Sequence, residues 1–303
     1  MNKFTCRLLV FALLAFASGA WGQSDSASNL LSFANSLFAE KDYYRAITEY
    51  KRHLHLYPDS PMASETRLAV GLAYFRGEKW EAARAAFQET RDSASTPESA
   101  RQAQLLMGES AYRGSDYPSA LDCFDAFTRQ HPSDPGSVDA RMRVSQCLLQ
   151  LDKNLPAKSQ ATSLIASRPS DERAADFARE MQSVDALPRK SPLLAGSLSA
   201  ILPGAGQLYT GRPRDAGISF LLNGSLIALA AIAFNNDEPV AGGILTVLEL
   251  SWYSGNIYGA VNGAHKYNRF QRQRFVNSLD IQCGIMRDID DAATPFGGFR
   301  MSF

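Results

Sequence analysis

The chain has 303 residues, 45% of them hydrophobic, and its 31 basic and 31 acidic side chains give a formal net charge of zero. That length suits about two domains, and the charge balance excludes the strongly basic surface of a general nucleic-acid binder. The apolar residues gather at the extreme N-terminus and between Leu193 and Val261, with a mildly polar region between them.

Residues 1–22 read as a secretory signal. Lys3 and Arg7 give a basic start, Leu8 to Phe16 a short apolar core, and Ala20 and Gly22 the small residues of a cleavage site before Gln23. An uncleaved anchor is the alternative. Cys6 would not open the mature chain, so a lipoprotein is not expected. Of the cysteines that survive cleavage, Cys123 and Cys147 fall in helical core patterns. Buried free thiols are expected there, and a disulfide in an oxidising compartment is the open alternative.

A repeat of 37 residues follows. Aromatics recur at Phe38, Phe75 and Tyr112, Leu149 continues the series, and small residues precede them at Ala34, Gly71, Gly108 and Ser145. Each aromatic leads into a pattern of aromatic, Ala three on and aromatic seven on: Tyr43/Ala46/Tyr50, Trp80/Ala83/Phe87 and Tyr117/Ala120/Phe124. Those spacings put the three side chains on one face of a helix. The small residue lets a second helix come close, and Pro-Asp or Pro-Ser turns separate the pairs. One pair cannot cover its own apolar face, so the pairs must stack into an array.

This pattern resembles the tetratricopeptide repeat family, and its longer period is similar to that of the envelope proteins BamD and CpoB. The resemblance spans residues 28–187, with a capping helix over Asp171 to Leu187. It implies a concave protein-binding surface. Phe38, Tyr43, Phe75, Trp80, Tyr112 and Tyr117 are expected in the core. Polar positions on the first helix of each pair, Arg67, Glu109 and Arg141, are the candidate partner contacts.

After a short basic linker, Pro188 to Pro192, residues 192–265 form a membrane domain. Two apolar runs, 215–234 and 240–261, each have the roughly 20 residues needed to cross a bilayer as helix, and a polar turn joins them. Their apolar side chains fall on nearly every face, which argues for lipid rather than a soluble core. Ser251, Gly255, Gly259 and Gly263 stand four apart, a stripe suited to close helix packing within the hairpin or between copies of the chain. Asn223 and Glu249 are intramembrane polar residues at similar depth. Glu249 is expected to be protonated or hydrogen-bonded to Asn223, because a lone carboxylate in hydrocarbon is costly. A proton or ion pathway is the rival role.

Residues 193–209 are either a third span or a re-entrant or interfacial helix. Arg212, Arg214 and the basic residues from Lys266 onward flank the hairpin, and Asp237 and Glu238 sit in its turn. The positive-inside rule puts both basic ends in the cytoplasm. An exported repeat domain would then need the third crossing.

Pro203, Gly204, Gly206, Gln207, Tyr209, Gly211 and Arg212 form the motif PGxGQxYxGR. It is similar to the glycine-rich lead into a membrane helix in a bacterial membrane-protein family of unknown function, and more distantly to the TM-two domain. There a His stands near the place of Gln207. The resemblance implies membrane residence and brings no activity. The motif lacks the third glycine of a dinucleotide loop and the lysine of a phosphate loop. It reads as backbone bending at the bilayer surface, with Tyr209 at the interface and Arg212 and Arg214 toward lipid phosphates.

Residues 266–303 comprise a basic stretch and a tail in which apolar residues alternate, as in a short β-hairpin or a disordered tail. No metalloprotease, serine-hydrolase or phosphate-loop motif occurs, so no catalytic, cofactor-binding or metal-binding residue is expected. The sequence therefore points to an all-α repeat array followed by a transmembrane helical hairpin. Its expected roles are non-enzymatic: binding a protein partner and membrane lipids, with homo-oligomer formation through the glycine stripe and no nucleic acid. The expected location is the inner membrane of a bacterial envelope with the repeats in the periplasm, the outer membrane being the alternative. A channel, transporter or lipid-handling component is the rival function.

Overall fold

Phe87 and Phe124 of the 37-residue pattern each meet a glycine across a helical pair, and that contact sets how closely the two helices pack. A computed structural model describes residues 26–167 and 170–280. The expected signal, Cys283 and the expected β-hairpin lie outside these residues. Two compact units are present: residues up to Gln182 together with Leu279 onward, and Ser183–Ser278.

The first unit is helical throughout its described residues. α1 spans 26–39. It is followed by α2 (Tyr43–Leu56), α3 (Ala63–Arg76), α4 (Trp80–Asp92), α5 (Pro97–Arg113), α6 (Tyr117–Gln130), α7 (Gly136–Gln150), α8 (Asn154–Ser167) and α9 (Glu172–Gln182). From α2 to α9 each helix packs against the next, and α3 also touches α5, α5 touches α7, and α7 touches α9. The first helices of the pairs therefore form one continuous layer. Side-chain caps mark the starts of α2, α5 and α6, whereas α3 and α7, which follow the Pro-Asp and Pro-Ser turns, start without one. The Asp42 and Asp116 carboxylates accept from Arg45 N and Ser119 N to cap α2 and α6, and Thr96 caps α5 ahead of Pro97.

Tyr50, Phe87 and Phe124 are wholly buried. The ring of Phe87 lies over Gly71, and that of Phe124 over Gly108. Phe38, Phe75 and Tyr112 are buried, and each meets the aromatic that opens the next helix edge-to-face. Ring centres are 5.4 Å apart for Phe38–Tyr43, 5.2 Å for Phe75–Trp80 and 5.6 Å for Tyr112–Tyr117. Tyr43, Trp80 and Tyr117 are only half-buried, because they sit at the helix start where the pair splays toward solvent.

One turn recurs with the repeat. Lys41, Glu78, Ser115 and Asp152 all hold positive φ, between 57° and 65°. In each copy the next residue's N–H reaches back five residues to a carbonyl: Asp42 to Leu37, Lys79 to Tyr74, Asp116 to Ala111 and Lys153 to Leu148, all at 2.9 Å. These bonds satisfy carbonyls that a helix end leaves without partners.

The second unit holds α10 (Pro192–Ile201), α11 (Ala205–Tyr209), α12 (Pro213–Asn235) and most of α13 (Pro239–Asp280). α12 is the one helix among the described residues long and apolar enough to cross a membrane. At 23 residues it would reach roughly 35 Å. The second span expected over 240–261 falls in the first half of α13, which does not reach the same apolarity, since Glu249, Asn256 and several Ser, Tyr and Gly residues interrupt it. α13 runs unbroken through the basic stretch. Asn236 to Glu238 join the two, and the left-handed turn recurs there: Asp237 has φ 57°, and Glu238 N–H donates to Ala233 O at 3.0 Å. The segment expected to be a third span or a re-entrant helix is broken. α10 ends at Ile201 after 10 residues, roughly 15 Å, and Gly204 turns the chain into α11.

Candidate functional site

The PGxGQxYxGR motif folds as a packed polar junction. Gly204 takes a left-handed φ of 89°, and a Cβ there would lie 2.3 Å from Ala216 O. Its N–H donates to Asn256 Oδ1 at 3.3 Å. Gly206 passes so close to α10 that a Cβ would sit 2.0 Å from Ala195 O. That approach brings Gln207 between α10 and α13. The Gln207 amide donates to Asn256 Oδ1 at 2.8 Å and Asn256 O at 2.9 Å, while its oxygen accepts from Ser199 Oγ at 2.9 Å. Ser199 Oγ also accepts from Gly206 N–H, and the Asn256 amide donates to Ser199 O. All three side chains are buried, so the network is satisfied from within.

The rest of the motif closes the junction. The Tyr209 hydroxyl accepts from Ser191 N–H at 3.1 Å, and the Lys190 ammonium lies 4.7 Å from its ring centre. Gly211, at φ 81°, forms the left-handed turn into α12, and Arg212 N–H donates to Gln207 O at 2.9 Å. The Arg212 guanidinium donates to Gly259 O at 3.3 Å and pairs with Asp215. Arg214 is exposed. The sequence identified the motif residues, but not Ser199 or Asn256. These come from segments some 50 residues apart, and no local spacing marks them.

The stripe of small residues divides in two. Gly259 and Gly263 receive the motif: a Cβ at Gly259 would meet Gln207 Nε2 at 3.7 Å, and one at Gly263 would meet Thr210 Oγ1 at 3.1 Å. Gly255 has nothing within 4 Å of its Cβ position, and Ser251 is exposed. Among the described residues no backbone comes within 4 Å of the Gly255 Cβ position. Ser251 and Gly255 line a cavity of about 530 Å³. Ile218, Ser219 and Leu222 of α12 form one wall, and Trp252 belongs to the other. Arg212 and Asp215 stand at the end where α12 begins, beside Gln207 and Asn256.

The expected hydrogen bond between Glu249 and Asn223 is not formed. The Asn223 amide turns back to donate to Ser219 O at 2.6 Å. Its oxygen and both Glu249 carboxylate oxygens are buried with no hydrogen-bond partner among the described residues. The amide has its own helix carbonyl within reach, which outcompetes the neighbouring helix.

In the repeat unit, Glu109 is not a free contact for a partner. It is wholly buried and grips Arg143, which is also wholly buried. Arg143 Nε donates to Oε2 at 2.8 Å and Nη2 to Oε1 at 2.9 Å. Arg113 Nε also donates to Oε1, at 3.2 Å. Arg143 further donates to Gln146 Oε1 and to Asp280, and lies 4.5 Å from the Tyr112 ring centre. Burial pushes the Tyr112 hydroxyl well above its ordinary range. Arg67 and Arg141 are half-buried. Gln104, one repeat on from Arg67, donates to Gln130 at 3.1 Å. It lines a groove of about 540 Å³ with Met107, Cys123 and His131. Cys123 and Cys147 are free thiols, and burial raises both above the ordinary thiol range, which keeps them protonated and poorly nucleophilic.

A family model described as tetratricopeptide repeat matches residues 31–100, 68–135 and 105–157. The three matches start one 37-residue period apart, in step with the helical repeats. No curated protein matches the chain. The crystal structure of a tetratricopeptide repeat protein from Parabacteroides merdae aligns with 11% identity and a TM-score of 0.44, over 80% of this chain and 99% of that one.

Proposed function

We propose that this chain, with its tetratricopeptide repeats beside an apolar helical pair, is a membrane-anchored scaffold of the bacterial cell envelope. The repeats hold a protein partner, and α12 with the first half of α13 fixes that partner at the bilayer. Repeats of this kind serve as interaction surfaces rather than catalysts. The observation that carries the anchoring is the surface of α12. Phe220, Leu221, Ile227, Leu229 and Ile232 are each at least half exposed, an arrangement stable in lipid and unstable in water.

α10 is about half the roughly 30 Å of hydrocarbon, so it dips into the bilayer with α11 and does not cross it. Two crossings then leave residues 188–212 and the basic end of α13 on one side. The repeats belong in the periplasm if the N-terminal signal is used. The positive-inside rule favours the opposite side for these basic ends, and the short reach of α10 is what supports two crossings.

Two experiments test the reading. A compartment-sensitive reporter fused after Lys266 should report the same side as one fused before Pro192; opposite sides would restore a third span. A photo-crosslinking residue at Gln104, in full-length protein in native membranes, should give a discrete protein adduct. The same probe at the exposed Tyr44 sets the background. No adduct above it, there or at Arg67 and Arg141, would sink partner binding by this face.

A further inference from the structure

The cavity between the start of α12 and the middle of α13 has two chemically distinct ends. Along its length the walls are Ile218, Leu222 and Trp252, and the floor is Ser251 and Gly255. Ile218 and Trp252 are both more than half exposed, so the walls continue onto the outward apolar face. At the other end stand Arg212 and Asp215, a cation and an anion paired to each other at the first turn of α12. The polar groups behind them, Gln207 and Asn256, spend their hydrogen bonds on Ser199 and on each other. They ask nothing of an occupant.

An occupant must therefore be apolar along most of its length and carry both charges at one end. We propose that the cavity binds one zwitterionic phospholipid carrying a primary ammonium, of the phosphatidylethanolamine class. An acyl chain lies over Gly255 between Leu222 and Trp252. The phosphate meets the Arg212 guanidinium, which is a fixed donor fork suited to phosphate oxygens. The ammonium meets the Asp215 carboxylate. Both side chains are a little under half exposed, so the headgroup reaches them without opening the fold. A volume of about 530 Å³ is within the range of small-molecule pockets. The absence of any backbone or side chain within 4 Å of the Gly255 Cβ position leaves the floor free for a flexible chain. A second copy of this chain would bring helix backbone onto the same glycine, but would leave the Arg212–Asp215 pair without a counterpart. The inference rests on the membrane reading above and assigns that region a ligand.

The test uses full-length protein in non-denaturing detergent, examined by native mass spectrometry with added palmitoyl-oleoyl phosphatidylethanolamine. One lipid adduct per chain is expected. Gly255→Leu fills the cavity, and the open space around that Cβ means the fold need not move. It should weaken the adduct by about tenfold or more. Palmitoyl-oleoyl phosphatidylglycerol, which has phosphate but no ammonium, should bind less, and Asp215→Asn should erase that preference. The corresponding diacylglycerol should give no adduct. Equal adducts with Gly255→Leu and the parent chain would overturn the site, as would equal binding of diacylglycerol. Conversion of a dimer to a monomer by Gly255→Leu would assign the groove to a second copy instead. Resistance of both proteins to alkaline extraction from membranes reports on anchoring separately, so loss of the lipid site and loss of the membrane reading give different results.

Discussion

The guanidinium of Arg143 lies against both carboxylate oxygens of Glu109, at 2.8 and 2.9 Å, with neither side chain reached by solvent. The pair joins α5 to α7, first helices of successive repeats. Removing Glu109 takes two hydrogen bonds from the wholly buried Arg143 and leaves it Asp280 as its carboxylate partner. Glu109→Ala should cost about 3–5 kcal/mol, read as the shift in urea midpoint of the full chain. Arg113→Ala should cost less than about 1 kcal/mol, because Arg113 is one-third exposed. The double variant Glu109→Leu with Arg143→Leu should recover most of the loss. Leucine already stands one repeat earlier at both positions, Leu72 and Leu106. No recovery would mean the pair is required for more than packing.

Gly71 and Gly108 are required by ring contact. A Cβ would fall 2.4 Å from Phe87 at the first and 2.8 Å from Phe124 at the second. Gly108→Ala should destabilise by roughly 1–3 kcal/mol through overpacking. Combined with Phe124→Leu the two costs should sum to less than their separate values, since the smaller side chain makes room. Strict additivity in thermal melts would show that the ring is not what excludes the methyl group.

The junction around Gln207 makes a graded prediction. Gly206→Ala drives a methyl group into a backbone carbonyl and should abolish monodisperse behaviour in size-exclusion chromatography. Gly211→Ala meets no atom within 4 Å and should cost only the left-handed strain of φ 81°, roughly 1–2 kcal/mol. Gln207→Leu removes the acceptor of the Ser199 hydroxyl and one of two donors to Asn256 Oδ1 and should fall between them, at about 1–3 kcal/mol. A Gly211 variant as damaged as the Gly206 variant would refute this ordering.

His53 supplies a pH dependence. It is wholly buried, with Tyr57 5.5 Å away centre to centre, and burial holds its pKa below the ordinary 6.5. Well above pH 6.5 both states keep it neutral. As pH falls through that value the unfolded chain takes the proton first, so stability drops with acidification until the lowered folded pKa is passed. The urea midpoint should fall from pH 7.5 to pH 5.5, and His53→Phe should flatten part of that slope. Phe127, two repeats on, shows that the register accepts a ring. An unchanged slope would assign the acid sensitivity elsewhere.

Much of the repeat was legible because its aromatic and small residues recur every 37 positions, and the structure places them in contact. The left-handed turns were not legible. Lys41, Glu78, Ser115 and Asp152 share a conformation but no side-chain chemistry, and none is the glycine that usually signals it. Glu109 was misjudged as a surface contact, although the register held the clue. It occupies the place of Leu72, and Arg143 that of Ala69 and Leu106, so both are charges at core positions. In the second unit the motif was visible, but its partners Ser199 and Asn256 were not. The glycine stripe was legible as a smooth face. Which part of it would meet protein depended on where α10 and α11 break, and Pro203 and the glycines mark that only loosely.

The left-handed corner at Lys41, Glu78, Ser115 and Asp152 returns at Asp237, where the apolar pair closes. Every helix joined this way meets its neighbour within a few residues of chain. Little loop entropy must be overcome before side chains begin to gain from packing, a condition for fast, sequential folding. During synthesis each repeat can therefore close against the one before it as it emerges. α12 and the start of α13 can pair as soon as the first turns after Pro239 have formed. The same corner thus serves assembly in water and, in the proposed setting, entry into lipid.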